Sequence, residues 1–187
     1  TVGINMGAMM AAADRITIEV SGRGGQGAHA YQTVDPVLVA AHIITAVQSL
    51  VSRNVRPIDS AVVSLCAMQA GDLGAMSVIP DKAVLVGTVR TFNPDVQDMV
   101  QQRLRELCSG VALGFGATAT VHYERIYPAT INTEKEAAFA AGVAEMLVGA
   151  DHVNRDLEPS MGAEDVSFML QVKPGAYMRI WQGGHTR

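Results

Sequence analysis

Two Asx-proline pairs, Asp35-Pro36 and Asn93-Pro94, each stand between a strand-like run and a long helical pattern. An Asx side chain caps the free N–H groups of a helix start, and proline at the first helical position loses no hydrogen bond there. Ahead of the first pair, Ile16-Thr17-Ile18-Glu19-Val20 alternates apolar and polar residues, the pattern of a half-buried strand. The spacing predicts strands over 14–22, 59–70, 82–92 and 117–126, with helices over 35–53 and 93–113. This β-α-β-β-α-β order with short connections is the ferredoxin-like split arrangement: an antiparallel four-stranded sheet with two helices on one face. Residues 14–126 are expected to form such a domain within an α+β chain.

The two helices differ. In 93–113, Val96, Met99, Val100, Leu104, Leu107 and Val111 form one stripe, which one sheet can bury. In 35–53 the apolar residues cover more than half the circumference, wider than one contact needs. That helix has a second face to bury, and a homodimer formed through it and an adjacent edge strand is expected. Pairing would also remove the hazard of an open edge. After Pro128 the pattern predicts a helix over 134–148, a short helix over 164–170 and a strand over 176–181. Residues 1–13 and 127–187 are too few for an independent core.

Between the first strand and first helix, Gly22, Gly24, Gly25 and Gly27 mark backbone that needs positive φ or close approach by another group. Gly22, Gly24 and Gly27 fit G-x-G-x-x-G, the dinucleotide fingerprint. That motif requires the last glycine to open the helix that holds the pyrophosphate. Here the helix cannot start until about Pro36, and the preceding strand alternates, unlike a parallel strand buried on both faces. The cofactor reading is rejected.

A net charge of −4 and no basic stripe argue against nucleic acid. Only 17% of residues are charged against 49% hydrophobic, so a sizeable core and apolar surface for a partner are both expected. Cys66 and Cys108 read as buried free thiols of a reducing compartment, since neither has metal-ligand spacing. The apolar stretch 1–13 lacks a basic leader and is too short to span a bilayer. A cytoplasmic protein with no membrane partner is expected. The opening on Thr1 rather than methionine hints at a start within a longer protein, and processing would look the same.

The glycine segment Gly22-Arg23-Gly24-Gly25-Gln26-Gly27-Ala28-His29-Ala30-Tyr31-Gln32-Thr33-Val34-Asp35-Pro36 resembles the lid domain of the M20 metallopeptidase and amidohydrolase family, in its aminoacylase and hippurate-hydrolase branch. That branch reads roughly G-x-G-G-H-G-A-x-P-H-x-T-x-D-P at this place. Ser77-Val78-Ile79-Pro80, Gly87-Thr88-Val89-Arg90-Thr91-Phe92 and Met161-Gly162-Ala163-Glu164-Asp165 match further blocks in the family's order. The resemblance implies a ferredoxin-like lid and dimerisation domain over 14–126, with 1–13 and 127–187 as incomplete catalytic-domain segments. It also implies hydrolysis of N-acyl amino acids, hippurate-like amides or small peptides. Two divalent ions, zinc-, manganese- or cobalt-like, would activate the attacking water in the intact protein.

The family's metal-ligand motifs, an H-x-D-like segment and a Glu-Glu pair, have no counterpart here. His29, His42, His122, His152 and His185 are scattered and read as surface or strand-face imidazoles. By the resemblance His185, after the last strand, competes as a terminal metal ligand. The family's loop histidine, which reaches the scissile carbonyl in the partner subunit's site, becomes Gln26, a neutral donor to a developing oxyanion. Ser77 replaces an asparagine, and Tyr31 with Ala30 replaces a second histidine and its proline. Arg90 matches a substrate contact suited to a bidentate grip on a carboxylate; a strand-end salt bridge is its alternative. Glu164 and Asp165 match the active-site rim, and also suit the first turn of a helix. The competing function is a non-catalytic ferredoxin-like dimerisation or small-ligand module without a metal site.

Overall fold

The computed structural model describes residues 1–181 of the 187. The chain divides into two compact units: Asp14–Arg125, and Thr1–Ala13 together with Ile126–Arg187. It is a mixed α+β structure with several sheets.

The unit Asp14–Arg125 holds a four-stranded sheet built from β1 (Ala12–Ser21), β2 (Ala61–Ala70), β3 (Lys82–Thr91) and β4 (Thr118–Tyr127). Their spatial order is β2-β3-β1-β4. β2 and β3 pair antiparallel, from Ala61 opposite Thr91 to Ala70 opposite Ala83. β1 and β3 also run oppositely: Gly22 N donates to Asp81 O at 2.9 Å at one end, and Thr88 Oγ1 to Asp14 O at 2.9 Å at the other. Helices α1 (Pro36–Ser49) and α2 (Pro94–Gly114) pack on each other and on the sheet. Asp35 Oδ1 accepts from Val37 N at 2.8 Å and Asn93 Oδ1 from Asp95 N at 2.9 Å, so both Asx-Pro pairs start helices as read.

Alternation decides the core. Ile16, Ile18 and Val20 of β1 and Leu85 and Val89 of β3 are fully buried against Val39, Ile43, Val47 and Leu50 of the first helical segment and Val100 and Leu104 of α2. Segment Pro36–Asn54, which ends in a π turn, is long and apolar enough to cross a membrane by length and composition. Here its most apolar side lies in this core. The stripe left exposed is Leu38, Ala41, His42, Thr45 and Gln48, with Leu38 its one large aliphatic residue. The wide apolar arc is thus mostly spent on the sheet and α2.

Cys66 departs from its sequence reading. It is exposed, while Cys108 is buried and its thiol is pushed up to about 12 by that burial. Cys66 sits at a shift of register, where Leu65 faces Gly87 but Ala67 faces Val86, so it is the extra residue of a bulge, and the strand is exposed from there to Gln69. Beside the bulge the strands come close, and a Cβ on Gly87 would lie 2.1 Å from Ser64 O.

Close approach also explains the glycine segment, where no residue has positive φ. A Cβ on Gly22 would lie 2.1 Å from Val34 O, and one on Gly24 would lie 2.4 Å from Ile79 O. On Gly27 the nearest atom would be 3.5 Å away, an ordinary contact. Gly22→Ala is therefore expected to lower stability by about 1–3 kcal/mol, the usual cost of overpacking, with Gly27→Ala near neutral. Denaturant midpoints of the two variants check this.

A buried polar group sits in the same layer. Asp14 shares the inward face of β1 with Ile16, and its carboxylate accepts from Gln97 Nε2 of α2 at 2.9 and 2.8 Å and from the Tyr123 hydroxyl. Burial first, then the bond to Asp14, pushes the Tyr123 phenol well above its ordinary value. A phenol raised on folding stabilises below the unfolded value of about 10, and that contribution is lost as pH rises through the folded value. The melting temperature is expected to fall above about pH 10, and Tyr123→Phe to flatten that fall. At neutral pH the variant should lose about 1.5–3 kcal/mol, as for a hydrogen bond to a charged group.

In the other unit, Val2–Gly3 pairs parallel with Val153–Asn154 and antiparallel with Arg179–Ile180, and Ala8–Met10 pairs antiparallel with Thr130–Ile131. Helices α3 (Glu134–Val148) and α4 (Val166–Val172) complete it. Its buried cluster is small, Ile4 with Ala137 and Ala141, while Phe139, Met146, Leu147, Met169 and Val172 stay exposed. The strand read over 176–181 shrinks to Arg179–Ile180, since only those residues pair with Val2–Gly3.

Candidate substrate-contact site

The glycine segment is tied down before it reaches its tip. Gly24 N donates to the Asp81 carboxylate at 2.8 Å, and Arg23 and Val34 exchange backbone bonds at 2.9 Å. Gly25 and Gln26 then pair with Ile79 and Val78 in a short antiparallel ladder. Gly27 N donates to Ser77 O at 2.7 Å. The two segments the sequence singles out separately thus form one feature, with Gln26 and Ser77 adjacent and exposed. Beyond Gln26 the chain folds into 3-10 turns over Gly27–Gln32, kinked at His29. Tyr31 is 80% exposed there.

Arg90 lies elsewhere. In β3, Ala83, Leu85, Val89 and Thr91 are buried, while Val84, Val86, Thr88 and Arg90 lie half-buried on the opposite face. Among the described residues Arg90 makes no ion pair and no side-chain hydrogen bond, so the strand-end salt bridge does not occur there. The Gln26 ladder hangs from Asp81, just before β3 begins, whereas Arg90 is next to last in that strand. Eight steps from Lys82 to Arg90, at about 3.3 Å each, separate the two ends of the strand by about 26 Å. Within one chain the ladder carrying Gln26 and Ser77 and the Arg90 side chain thus attach at opposite ends of β3.

Glu164 belongs to the other unit, half-buried just before α4. Its backbone oxygen accepts from Ser167 Oγ at 2.7 Å, and its carboxylate accepts from Asp165 N at 3.1 Å, which makes it part of a helix start. His185 lies outside the described residues. Among the described residues no three His, Cys, Asp or Glu side chains come together as metal ligands.

Sequence reading treats His29 as a surface imidazole. The structure places its Nδ1 2.9 Å from Gln26 Oε1, and its ring edge-on to Tyr31 at 6.1 Å. The three-residue spacing was visible, but only the turn that closes it makes a pair.

Residues 5–186 match Peptidase family M20/M25/M40. The chain belongs to this family. Within the M20 family it is 36% identical over 174 residues to hippurate hydrolase of Campylobacter jejuni, covering 93% of this chain and 45% of that protein. It is 33% identical over 183 residues to N-acetylcysteine deacetylase of Bacillus subtilis, covering 98% of this chain and 46% of that one. The crystal structure of the Bacillus subtilis YXEP protein, a dinuclear metal binding peptidase from the M20 family, aligns with a TM-score of 0.73 at 29% identity. That alignment covers 95% of this chain and 42% of YXEP. The chain spans about half the length of the curated relatives it matches. M20 membership makes it a relative of metal-dependent amidohydrolases and peptidases, several of which act on acylated amino acids.

Proposed function

We propose that Asp14–Arg125 is the ferredoxin-like lid and dimerisation domain of a two-metal M20 amidohydrolase that cleaves N-acyl amino acids, hippurate-like amides or small peptides. In this reading Gln26 and Ser77 of one copy meet Arg90 of a second copy on a single substrate. The observation that carries it is the attachment of the ladder carrying Gln26 and Ser77 at the start of β3 while Arg90 stands next to last in it, two strand ends about 26 Å apart. One small amide does not span the two ends of that strand. Two copies in a closed pair can supply both contacts, each giving its loop to the other's site. The strand order β2-β3-β1-β4, with two helices packed on the sheet, favours the split βαββαβ description.

Each residue has a separate task. The Gln26 amide donates to the carbonyl oxygen as negative charge develops there, and the Ser77 hydroxyl adds a second donor beside it. The Arg90 guanidinium grips the free carboxylate and so fixes which end of the substrate faces the chemistry. Glu164 lines the rim of the catalytic domain. The two divalent ions would be held by ligands outside the described residues. The exposed Phe139, Met146, Leu147, Met169 and Val172 favour a larger catalytic domain that covers them. The exposed stripe of α1 and the open edge of β2 are the surfaces proposed for the dimer.

The test is turnover by the full-length protein of hippurate, N-acetyl amino acids and the matching N-acyl amino amides, with sedimentation alongside. Hydrolysis confined to substrates with a free carboxylate, by a dimer that Leu38→Glu weakens, is expected. A monomer without turnover of any of them would favour a non-catalytic small-ligand module.

A further inference from the structure

Glutamine at position 26 poses a chemical problem: its amide can turn either an N–H or a C=O toward the substrate, and only the first helps an oxyanion. The structure holds a device that decides between them. His29 Nδ1 lies 2.9 Å from Gln26 Oε1. An amide oxygen only accepts, so Nδ1 carries a proton in this pair, whether the ring is neutral or cationic. With its oxygen held, Gln26 keeps its NH2 group without a protein partner among the described residues, on an exposed side chain. Tyr31 stands edge-on to the imidazole at 6.1 Å. The ladder to Val78 and the Gly27–Ser77 bond fix the backbone on which the pair stands. Donation to the carbonyl oxygen also draws electron density from the amide nitrogen, so its N–H becomes the better donor.

We propose that His29 is a positioning residue: it clamps Gln26 Oε1 so that the amide NH2, rather than the amide oxygen, faces the developing oxyanion. The proposal rests on the reading of Gln26 as the oxyanion donor. A glutamine–histidine pair then takes the place of a single loop histidine, with the imidazole one step back from the reacting atom.

The test is a double-mutant cycle in the full-length enzyme acting on an N-acyl amino acid, with Gln26→Ala, His29→Ala, the double variant and His29→Phe. His29→Ala is expected to lower kcat about three- to tenfold with little change in KM, the effect of one lost hydrogen bond. In the Gln26→Ala background the same change should have no further effect, since there is no amide left to aim. His29→Phe keeps an aromatic ring beside Tyr31 but no donor, and should lose as much as alanine. Three results would overturn the proposal while leaving Gln26 as a donor: unchanged kcat in His29→Ala, full activity in His29→Phe, or a loss that persists beside Gln26→Ala. Unchanged kcat in Gln26→Ala would instead remove the reading of Gln26, and the role of His29 with it.

Discussion

Arg90→Ala in the full-length enzyme is expected to lower kcat/KM for N-acyl amino acids by two to three orders of magnitude, mostly through KM. Arg90 is half-buried on the sheet face opposite the core and has no carboxylate partner among the described residues. An arginine so placed has its donors open to a ligand. Truncating one side of a desolvated, hydrogen-bonded charge pair costs about 2–5 kcal/mol, which is about 30- to 5,000-fold. The N-acyl amino amide, which offers no charge to grip, should be affected far less. Arg90→Lys should recover only part of the loss, because a point charge does not reproduce a planar fork. Equal losses on acid and amide would show that Arg90 does not contact the carboxylate. Steady-state kinetics on the paired substrates decide it.

Gln26→Ala should act on the other kinetic parameter. A donor aimed at developing charge contributes about 2.7–4 kcal/mol, so its removal should lower kcat about 100- to 1,000-fold. KM should change little, the signature of an interaction made mainly in the transition state. Gln26 is exposed on its ladder, so the variant should melt with the wild type. A rise in KM with kcat intact would place Gln26 in ground-state binding instead.

What the sequence reveals divides by the range of the interactions involved. The starts of α1 and α2 follow from Asp35-Pro36 and Asn93-Pro94, because capping is settled within three residues. The inward face of β1 follows from its alternation, which also sets Asp14 in register with Ile16 and Ile18. A carboxylate on that face needs partners, but the pattern does not name them: Gln97 and Tyr123 are 83 and 109 residues away. The exposure of residues 66–69 depends on what covers that end of the strand, which its Val- and Ala-rich pattern does not state. The glycines were read correctly as special, yet positive φ is not the reason; carbonyl groups of Val34 and Ile79 crowd them. For the candidate site, Gln26, Ser77 and Arg90 were visible one by one. That Gln26 and Ser77 stand side by side while Arg90 sits near the far end of β3 was not, because it depends on a two-residue ladder and on the length of β3.

The central claim is that one site draws Gln26 from one copy and Arg90 from another. Complementation tests it most directly: full-length Gln26→Ala and Arg90→Ala subunits, each nearly inactive, are mixed, allowed to exchange and assayed. In a two-fold dimer with shared sites, each mixed pair holds one site with both residues intact, so random exchange should restore about a quarter of wild-type activity. A mixture that forms mixed pairs yet is no more active than its separate components would contradict the claim, because both residues would then serve the site of their own chain.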